Sequence, residues 1–200
     1  MGPAPAEIRE IEGDASLRLT REGRTARSRL DFVLEPSRRG RVTVTGVLGA
    51  AAAEIVIAGA EGYFVLPSER AYWKADPEEI VEKLLGFPLS LDEMTGLVCG
   101  RWPAGPDGGP PAGWTFDRDA QGRTATGRKG GLEFAVLEFF PGSEVPKVLE
   151  YKDPYGQGRL TIRSIEFNGP AAAGAFDLGF LRGFSARTWE EIRKMLDHED

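Results

Sequence analysis

The side chains that most often serve as catalytic bases and nucleophiles are scarce in this chain and poorly placed. The single histidine, His198, lies at the C-terminal end, so a Ser–His or Cys–His pair would have to form on a chain terminus. The single cysteine, Cys99, ends an amphipathic stretch, which is a position typical of core packing. One cysteine also excludes an internal disulfide. Neither residue predicts nucleophilic chemistry.

Paired carboxylates and glycine-rich stretches give no stronger signal. Glu78–Glu79 and Glu190–Glu191 fall in the first turns of expected helices, where acids favour the helix dipole. "GPDGGP" lacks the Lys-Ser/Thr and the strand-to-helix context of a phosphate loop. No cluster of His, Cys and acids has metal-ligand spacing. We therefore expect no enzyme activity, no metal and no cofactor.

The clearest charge pattern is a basic stretch. Eight arginines lie between residues 18 and 41, although the net charge of the whole chain is −6. An acidic chain is unlike a nucleic-acid-binding protein, so we expect no nucleic-acid partner. The arginines fit either the solvated outer face of strands or a surface for anions such as phospholipid headgroups.

The chain is long enough for one domain with an appendage. Of its 200 residues 41% are apolar, which supports a substantial core. No run approaches the roughly 18 apolar residues that a membrane-spanning helix needs. The first residues, "MGPAPAEIREIEG", hold no hydrophobic signal region and resemble a tether. We expect either a cytosolic protein or one whose signal has been removed.

Alternating patterns predict strands on both sides of the chain's middle. "SRLDFVL" and "GRVTVTG" place apolar residues at every second position, and "EIVIAG", "GYFVLP" and "RAYWKA" follow. Turn residues recur every eight to twelve positions, as in an antiparallel meander. A second series begins at "WTFDRD" and ends at "GRLTIRSIEF".

Between the two meanders the apolar period changes to that of a helix. "DPEEIVEKLLG" has Asp76 as N-cap, Pro77 at the first helical position and a final glycine. "SLDEMTGLVCG" repeats this arrangement with Ser90 as its cap. We expect helices over residues 77–85 and 90–98, each with one apolar side, and a third helix in the tail after Thr188.

A long antiparallel sheet must cover its inward face. Amphipathic helices between two meanders favour a sheet curled around them over a closed barrel or a sandwich. The predicted fold class is mainly β (α+β): an open, strongly curved antiparallel half-barrel with short helices on its concave face and an extra C-terminal helix. The expected boundaries are a tether over 1–13, the half-barrel over 14–168 and an extension over 169–200.

Between residues 41 and 100, "VTVTGVLGAAAAEIVIAG" is followed by a hairpin and then by "DPEEIVEKLLGFPLSLDEMTGLVCG". This stretch resembles the LolB family of outer-membrane lipoprotein receptors and the wider LolA/LolB lipoprotein-sorting superfamily. That family has a strand, an N-P-L-G-S/T loop, a second strand, and a helix that ends in L-x-G-x-P-[IL]-x-L before another helix. Here "LLGFPLSL" fits the second motif, and Leu48 with Gly49 fits the loop. The match extends loosely to about residue 168.

The resemblance implies a binding protein of the cell envelope that takes acyl chains into an apolar hollow. The expected partners are lipoprotein acyl chains or other lipids, a periplasmic carrier protein and the outer-membrane surface, with the protein itself a monomer. The side chains expected to line the hollow are Leu30, Phe32, Leu34, Val42, Val44, Phe64, Leu66, Leu84, Leu85, Met94, Leu97, Phe134 and Val136.

The family's loop leucine is implicated in delivery to the bilayer, and Leu48 with Gly49 would form this delivery loop. Val47 stands where the family prefers proline, and Ala50 and Ala51 replace the usual small polar residues, so we expect a more apolar and less rigid loop here. The alternative is that Leu48 folds back onto the sheet.

Two features depart from the family pattern. The helix after residue 170 is absent from it, and would be an additional lid or the mark of a sister branch with another cargo. The lipid-modified N-terminal cysteine is also missing, so we expect an anchor in the full-length precursor, at the periplasmic side of the outer membrane. The alternative function is a structural or interaction protein of the envelope that uses the same scaffold with a filled core.

Overall fold

The computed structural model describes residues 4–45, 51–105, 107–169 and 174–197. Within them the chain forms twelve strands, three α-helices and one short 3-10 turn, Gly179–Leu181. The first strands are β1 (Ile11–Arg21), β2 (Arg24–Glu35), β3 (Arg39–Thr45), β4 (Ala51–Ala58), β5 (Glu61–Leu66) and β6 (Ala71–Ala75). After α1 (Pro77–Leu85) and α2 (Leu91–Cys99) come β7 (Trp114–Arg118), β8 (Thr124–Lys129), β9 (Leu132–Phe139), β10 (Pro146–Asp153), β11 (Gly156–Phe167), β12 (Ser185–Ala186) and α3 (Trp189–Asp197).

All twelve strands belong to one curved sheet, in the order β12-β6-β5-β4-β3-β2-β1-β11-β10-β9-β8-β7. Neighbours are antiparallel, apart from β12, which pairs in parallel with β6. In the described residues β12 and β7 form the two edges, so the sheet stays open. The predicted fold class is confirmed.

The two meanders meet where β1 pairs with β11. The register runs from Ile11 opposite Phe167 to Arg21 opposite Gly156, with one bulge beside Asp14. Because β1 also pairs with β2 along its whole length, it forms the middle of the sheet. The first strand therefore fixes the position of both halves.

The first two helices begin and end at the residues that the sequence indicates. The Asp76 carboxylate accepts a hydrogen bond from the Glu78 N–H at 2.9 Å. Ser90 and Glu93 form a reciprocal capping box. Gly86 ends α1 with a φ of 90°, in the left-handed region that favours glycine. The second helix begins at Leu91, one residue later than predicted, because Ser90 is its cap.

Two strand glycines allow the helices to lie close against the sheet. A Cβ atom at Gly62 would lie 2.8 Å from Ile80 Cδ1 of α1, and one at Gly40 would lie 2.9 Å from Leu91 Cδ1 of α2. Any side chain at either position would push a helix outward. We call the side of the sheet that the helices cover the helix face, and the opposite side the outer face.

The C-terminal extension wraps around the β6 edge of the sheet. On the outer face, Val56, Tyr63 and Val65 pack against Leu178, Phe180, Leu181 and Phe184. On the helix face, Ile192 of α3 is fully buried against a cluster from β4, β5, β6 and α1. The third helix is therefore present, and it covers part of the sheet rather than projecting into solvent.

The N-terminal segment also contacts the rest of the domain. β1 begins at Ile11, three residues before the expected start of the half-barrel. The Arg101 guanidinium donates to the carbonyl oxygens of Ala4, at 2.8 Å, and Pro5. None of the helices in the described ranges is long and apolar enough to cross a membrane.

Candidate functional site

The helix face carries a continuous band of apolar side chains. The register places Phe32 opposite Val42, Val42 opposite Ile55, and Ile55 opposite Phe64. Because side chains alternate between the two faces of a sheet, this row spans four neighbouring strands on one side. The apolar surface is thus built by strand register.

All thirteen side chains that were expected to line a hollow belong to two hydrophobic clusters of this face and its helices. The buried members are Phe32, Leu34, Phe64, Leu66 and Phe134. The half-buried members are Leu30, Val42, Val44, Leu84, Leu85, Met94, Leu97 and Val136. The two clusters adjoin, since Ile55 packs against both. Their role as ligand contacts stays a prediction.

Sequence reasoning missed three leucines of this face. Leu17 lies directly opposite Leu160, and Leu19 follows on the same side of β1. All three are half-buried. The alternation in "SLRLTR" was the signal that could have found the first two. These leucines extend the apolar band to the central strands, where it is incompletely covered.

Side chains occupy the deepest part of the helix face. Ile11 and Ile162 are fully buried, and Leu89 is 2% exposed. A cavity of about 240 Å³ lies at the margin, lined by residues 86–88, 129–132 and 153–155. Larger cavities, of about 1010 and 550 Å³, open on the outer face. Space for an acyl chain beneath the helices therefore requires that one of them moves outward.

A polar joint connects α1 to the sheet. The Arg21 guanidinium donates to the carbonyl oxygens of Leu84, at 3.4 Å, and Leu85, which end the helix. A cation near the C-terminus of a helix is favoured by the helix dipole. The Asp153 carboxylate lies 3.9 Å from the same guanidinium. This contact holds the end of α1 against β1.

Three polar atoms of this joint are buried without a hydrogen-bond partner: Arg21 Nε, Tyr151 Oη and Asp153 Oδ2. Burial raises the pKa of Tyr151 to about 12, with a smaller opposing effect from the charge of Arg21. The phenol is therefore neutral at physiological pH. An unsatisfied buried group costs about 1–3 kcal/mol, so this joint makes the closed arrangement less stable than it could be.

The second helix, α2, is held against the sheet by a buried carboxylate whose two oxygens both accept hydrogen bonds. The Glu93 carboxylate accepts hydrogen bonds from Trp114 Nε1 at 2.6 Å, Lys129 Nζ at 2.6 Å and Ser90 N–H at 2.9 Å. Burial alone would raise the pKa of Glu93, but these hydrogen bonds outweigh it and lower the pKa. The side chain of Trp102 stacks among neighbouring aromatic rings beneath α2. α2 is thus the firmer of the two helices.

The candidate chemical groups that lie in the described residues are either buried or exposed at the starts of helices. Cys99 is fully buried, and burial raises the pKa of its thiol to about 11, so it stays protonated. His198 lies outside the described residues. Glu78 and Glu190 are exposed in the first turns of their helices. In the described part of the chain, no group of three His, Cys, Asp or Glu residues could hold a metal ion.

Five of the eight arginines of the basic stretch lie on the outer face of the sheet, in two groups. Arg39 and Arg41 pair with Glu35 at 2.7 Å and with Glu54, respectively. The arginines of the stretch that lie on the outer face of the central strands are Arg18, Arg27 and Arg29. Of these two groups, the second faces open solvent without a covering segment.

Leu48 and Gly49, the predicted delivery loop, lie outside the described residues. The strands beside them are described up to Thr45 and from Ala51, and these two residues pair in the β3–β4 ladder. Residues 46–50 therefore lie in the sequence between two neighbouring antiparallel strands, and the role of Leu48 and Gly49 stays a prediction.

Solved structures with the same fold come from several bacteria. A DUF1329 family protein from Desulfovibrio piger has a TM-score of 0.60 at 9% identity, covering 88% of this chain and 92% of its own. A putative outer membrane lipoprotein-sorting protein domain from Vibrio parahaemolyticus gives 0.52 at 9% identity, covering 88% and 93%. A LolA superfamily protein from Nitrosomonas europaea gives 0.51 at 12%, covering 86% and 92%.

A search of curated protein sequences finds no significant match. The family model described as "Outer membrane lipoprotein LolB" matches residues 9–164, which span β1 to β10 and nearly all of β11. The match leaves out the C-terminal extension with β12 and α3. Since it covers more than half of the sequence, this chain belongs to the LolB family.

Proposed function

We propose that this protein binds the acyl chains of lipoproteins, or of other lipids, against the helix face and delivers them to the outer membrane. Membership of the LolB family implies a lipoprotein-sorting or lipid-binding role in the cell envelope. Members of this family are carriers rather than enzymes. The observation that carries the finer proposal is the band of half-buried leucines on the helix face.

Burial of methylene groups supplies the affinity. Leu17, Leu30 and Leu160 offer apolar surface that the helices leave partly exposed. Each acyl methylene that leaves water contributes about 0.8 kcal/mol, so eight methylenes contribute about 6 kcal/mol. No catalytic group is needed for such binding. Release requires only a competing apolar environment, such as a bilayer or another carrier.

Entry of a chain requires α1 to move outward, and the joint beneath it favours this. The contacts from Arg21 to the end of α1 break in the movement, but Tyr151 Oη and Asp153 Oδ2 then gain access to water. Hydration of these unsatisfied groups offsets part of the cost. α2 stays in place, because its buried Glu93 is fully hydrogen-bonded.

For delivery we propose the loop that contains Leu48 and Gly49. A leucine that enters a bilayer gains about 1.5–3 kcal/mol, which biases contact without anchoring the protein. The variant Leu48→Glu is expected to keep the fold and the bound lipid while transfer to liposomes slows. If Leu48→Glu instead unfolds the protein, the leucine packs on the sheet and has no part in delivery.

The proposed setting is the periplasmic side of the outer membrane. A periplasmic carrier protein would supply the lipid, and an N-terminal lipid anchor of the full-length precursor would hold the protein at the membrane. The protein is proposed to act as a monomer, since one copy of the helix face suffices for one acyl chain.

Native mass spectrometry with organic extraction tests lipid binding. The two variants Leu30→Gln and Leu137→Gln make the same change on opposite faces of the sheet: Leu30 packs on the helix face, and Leu137 is 50% exposed on β9. We expect acyl lipid to co-purify with the wild type and Leu137→Gln, and several-fold less with Leu30→Gln. Equal lipid occupancy of all three proteins would place the lipid elsewhere.

The filled interior of the helix face favours a second candidate function, an interaction protein of the envelope with a solid core. Ile11, Leu89 and Ile162 already close the space that an acyl chain would use. The same measurement decides between the two functions. A wild-type protein that carries no lipid, and takes none from detergent-solubilised lipoprotein, would be the interaction protein.

A further inference from the structure

Three arginines stand side by side across the middle of the outer face. In the strand register, Arg18 of β1 lies directly opposite Arg27 of β2 and directly opposite Arg159 of β11. Like charges that face each other across strands destabilise a sheet. The arrangement therefore costs stability in the folded protein, and it occurs in a chain whose net charge is −6.

Arg18 and Arg27 also lack the acid partners that other cations of this face have. Neither forms an ion pair or a side-chain hydrogen bond with any described residue. By contrast, Lys152 lies 2.8 Å from Glu133, directly across the strands, and Arg159 lies 3.5 Å from Glu150. The two central guanidinium groups are thus left with their hydrogen-bond donors directed to solvent.

These arginines line an open trough together with hydroxyl groups. A cavity of about 550 Å³ is bordered by five arginines, Arg18, Arg27, Arg29, Arg159 and Arg163. The hydroxyl groups of Ser16, Thr45 and Thr161 complete its polar lining. It adjoins the larger cavity of about 1010 Å³, which shares three of the arginines. Guanidinium and hydroxyl donors on one surface are the groups that bind phosphate oxygens.

The spacing of the array matches a surface of anions better than a single small anion. Arg27, Arg18 and Arg159 occupy three adjacent strands, which span about 10 Å, and Arg29 lies two residues, or about 7 Å, along β2. The array lies in the middle of a sheet whose backbone groups are already paired. An extended acidic peptide would find no free strand edge there and would bind through side chains alone.

We infer that the trough on the outer face docks the protein on the phosphates of an anionic phospholipid surface. The choice of a membrane as partner rests on the proposed delivery function. Thr45, where β3 leads into the proposed delivery loop, lines the same trough. A protein that docks through this face brings that end of β3 to the membrane.

Vesicle flotation with the purified protein tests this inference. The vesicles contain either phosphatidylcholine alone or phosphatidylcholine with one-third phosphatidylglycerol. The variant is Arg18→Gln/Arg27→Gln, which breaks no ion pair of the described residues. Each arginine near an anionic surface contributes about 1 kcal/mol, or about fivefold in affinity, so we expect about 25-fold weaker binding to the anionic vesicles at low salt.

The matched control is Arg128→Gln/Lys152→Gln, which removes the same charge from the same face outside the array. Arg128 and Lys152 are exposed and pair with Asp117 and Glu133. We expect this variant to bind within a few-fold of the wild type, and 1 M salt to abolish binding of both proteins. Equal binding to both kinds of vesicle, or equal losses in the two double variants, would overturn the inference.

Two further measurements distinguish a membrane partner from an acidic polypeptide, and the docking surface from the proposed lipid binding. The membrane assignment would be overturned if the wild type bound poly-glutamate without preferring anionic vesicles, and if Arg18→Gln/Arg27→Gln lost the binding to poly-glutamate. The partner would then be an acidic polypeptide. Native mass spectrometry reports acyl-lipid occupancy independently, and we expect the double variant to match the wild type. Arginine-dependent vesicle binding by a protein that carries no acyl lipid would support the docking surface and refute the proposed function alone.

Discussion

The outer face of the sheet consists of two halves, and the arginines have different surroundings in each. Over β3–β6 the C-terminal extension covers the sheet, and apolar residues such as Val56 and Val65 are fully buried beneath it. Over β11, β1 and the part of β2 around Arg27 no described segment covers the face, and like charges stand opposite each other. The same basic stretch of sequence contributes to both halves.

In the covered half Arg39 and Arg41 make contacts that stabilise the fold. Arg41 pairs with Glu54, donates to the Ala175 carbonyl at 3.1 Å and lies 5.1 Å from the centre of the Phe180 ring. Arg39 pairs with Glu35 and lies over another ring of the extension. In the open half, the donors of Arg18 and Arg27 remain unused. Cations that stabilise the fold can therefore be distinguished from cations that are available to a partner.

A carboxylate introduced into each half gives the largest expected difference. Val65→Asp buries an unpaired charge under the extension, which should lower the free energy of unfolding by about 3–5 kcal/mol. Thr161→Asp places the same carboxylate among arginines in the open trough, and we expect no loss of stability or a small gain. Urea denaturation followed by circular dichroism measures both.

Two outcomes of that experiment would contradict the difference between the covered half and the open half of the outer face. A Val65→Asp protein as stable as the wild type would mean that the extension does not cover this half in solution. A Thr161→Asp protein that loses more than about 1 kcal/mol would mean that the trough residues are packed like a core.

The sequence predicted local structure well, because its signals are local. The caps Asp76 and Ser90 and the glycines after the helices fix α1 and α2 without reference to the rest of the chain. The alternation in β2 and β3 identified which residues face the helices. These patterns were enough to predict the fold class and the apolar face.

Contacts between distant parts of the chain could not be predicted in this way. Arg18 and Arg159 meet only because β1 pairs with β11 in one particular register, and a shift of one residue would move each to the other face. The contact of Arg21 with the end of α1 depends on the curvature of the sheet. "LGFLRGFS" has no clear period, so nothing indicated that it covers the outer face.

Acid pH should weaken the covered half through Glu35. A hydrogen bond from Arg39 lowers the pKa of Glu35 below its ordinary value of 4.5, although burial opposes this. A lowered pKa stabilises the fold above the unfolded value, and this contribution is lost as the pH falls through the folded value. Glu35→Gln should therefore cost about 1–2 kcal/mol at pH 7 and flatten the loss of stability between about pH 5 and pH 3.

Denaturation curves at several pH values check this expectation. The neighbouring Glu10 titrates in the opposite sense, because burial and the charge of Glu35 raise its pKa. Glu150→Gln is the control in the open half, since its carboxylate is half exposed beside Arg159. If Glu35→Gln lost as much stability at acid pH as the wild type does, the pair with Arg39 would not form in solution.

The smallest expected effect has the most informative sign. Arg18→Gln removes two like-charge contacts, with Arg27 and Arg159, at a position that makes no ion pair with the described residues. Each such contact destabilises a sheet by a few tenths of a kcal/mol, so the variant should be more stable by about 0.5 kcal/mol at low salt, and by less in high salt. The same variant should bind anionic vesicles about fivefold more weakly.

A residue that lowers stability while it strengthens binding is retained for binding, because a structural residue would lower stability when it is removed. Paired measurements of thermal unfolding and vesicle flotation on one preparation decide the matter, and a lower melting temperature for Arg18→Gln would assign Arg18 to the fold.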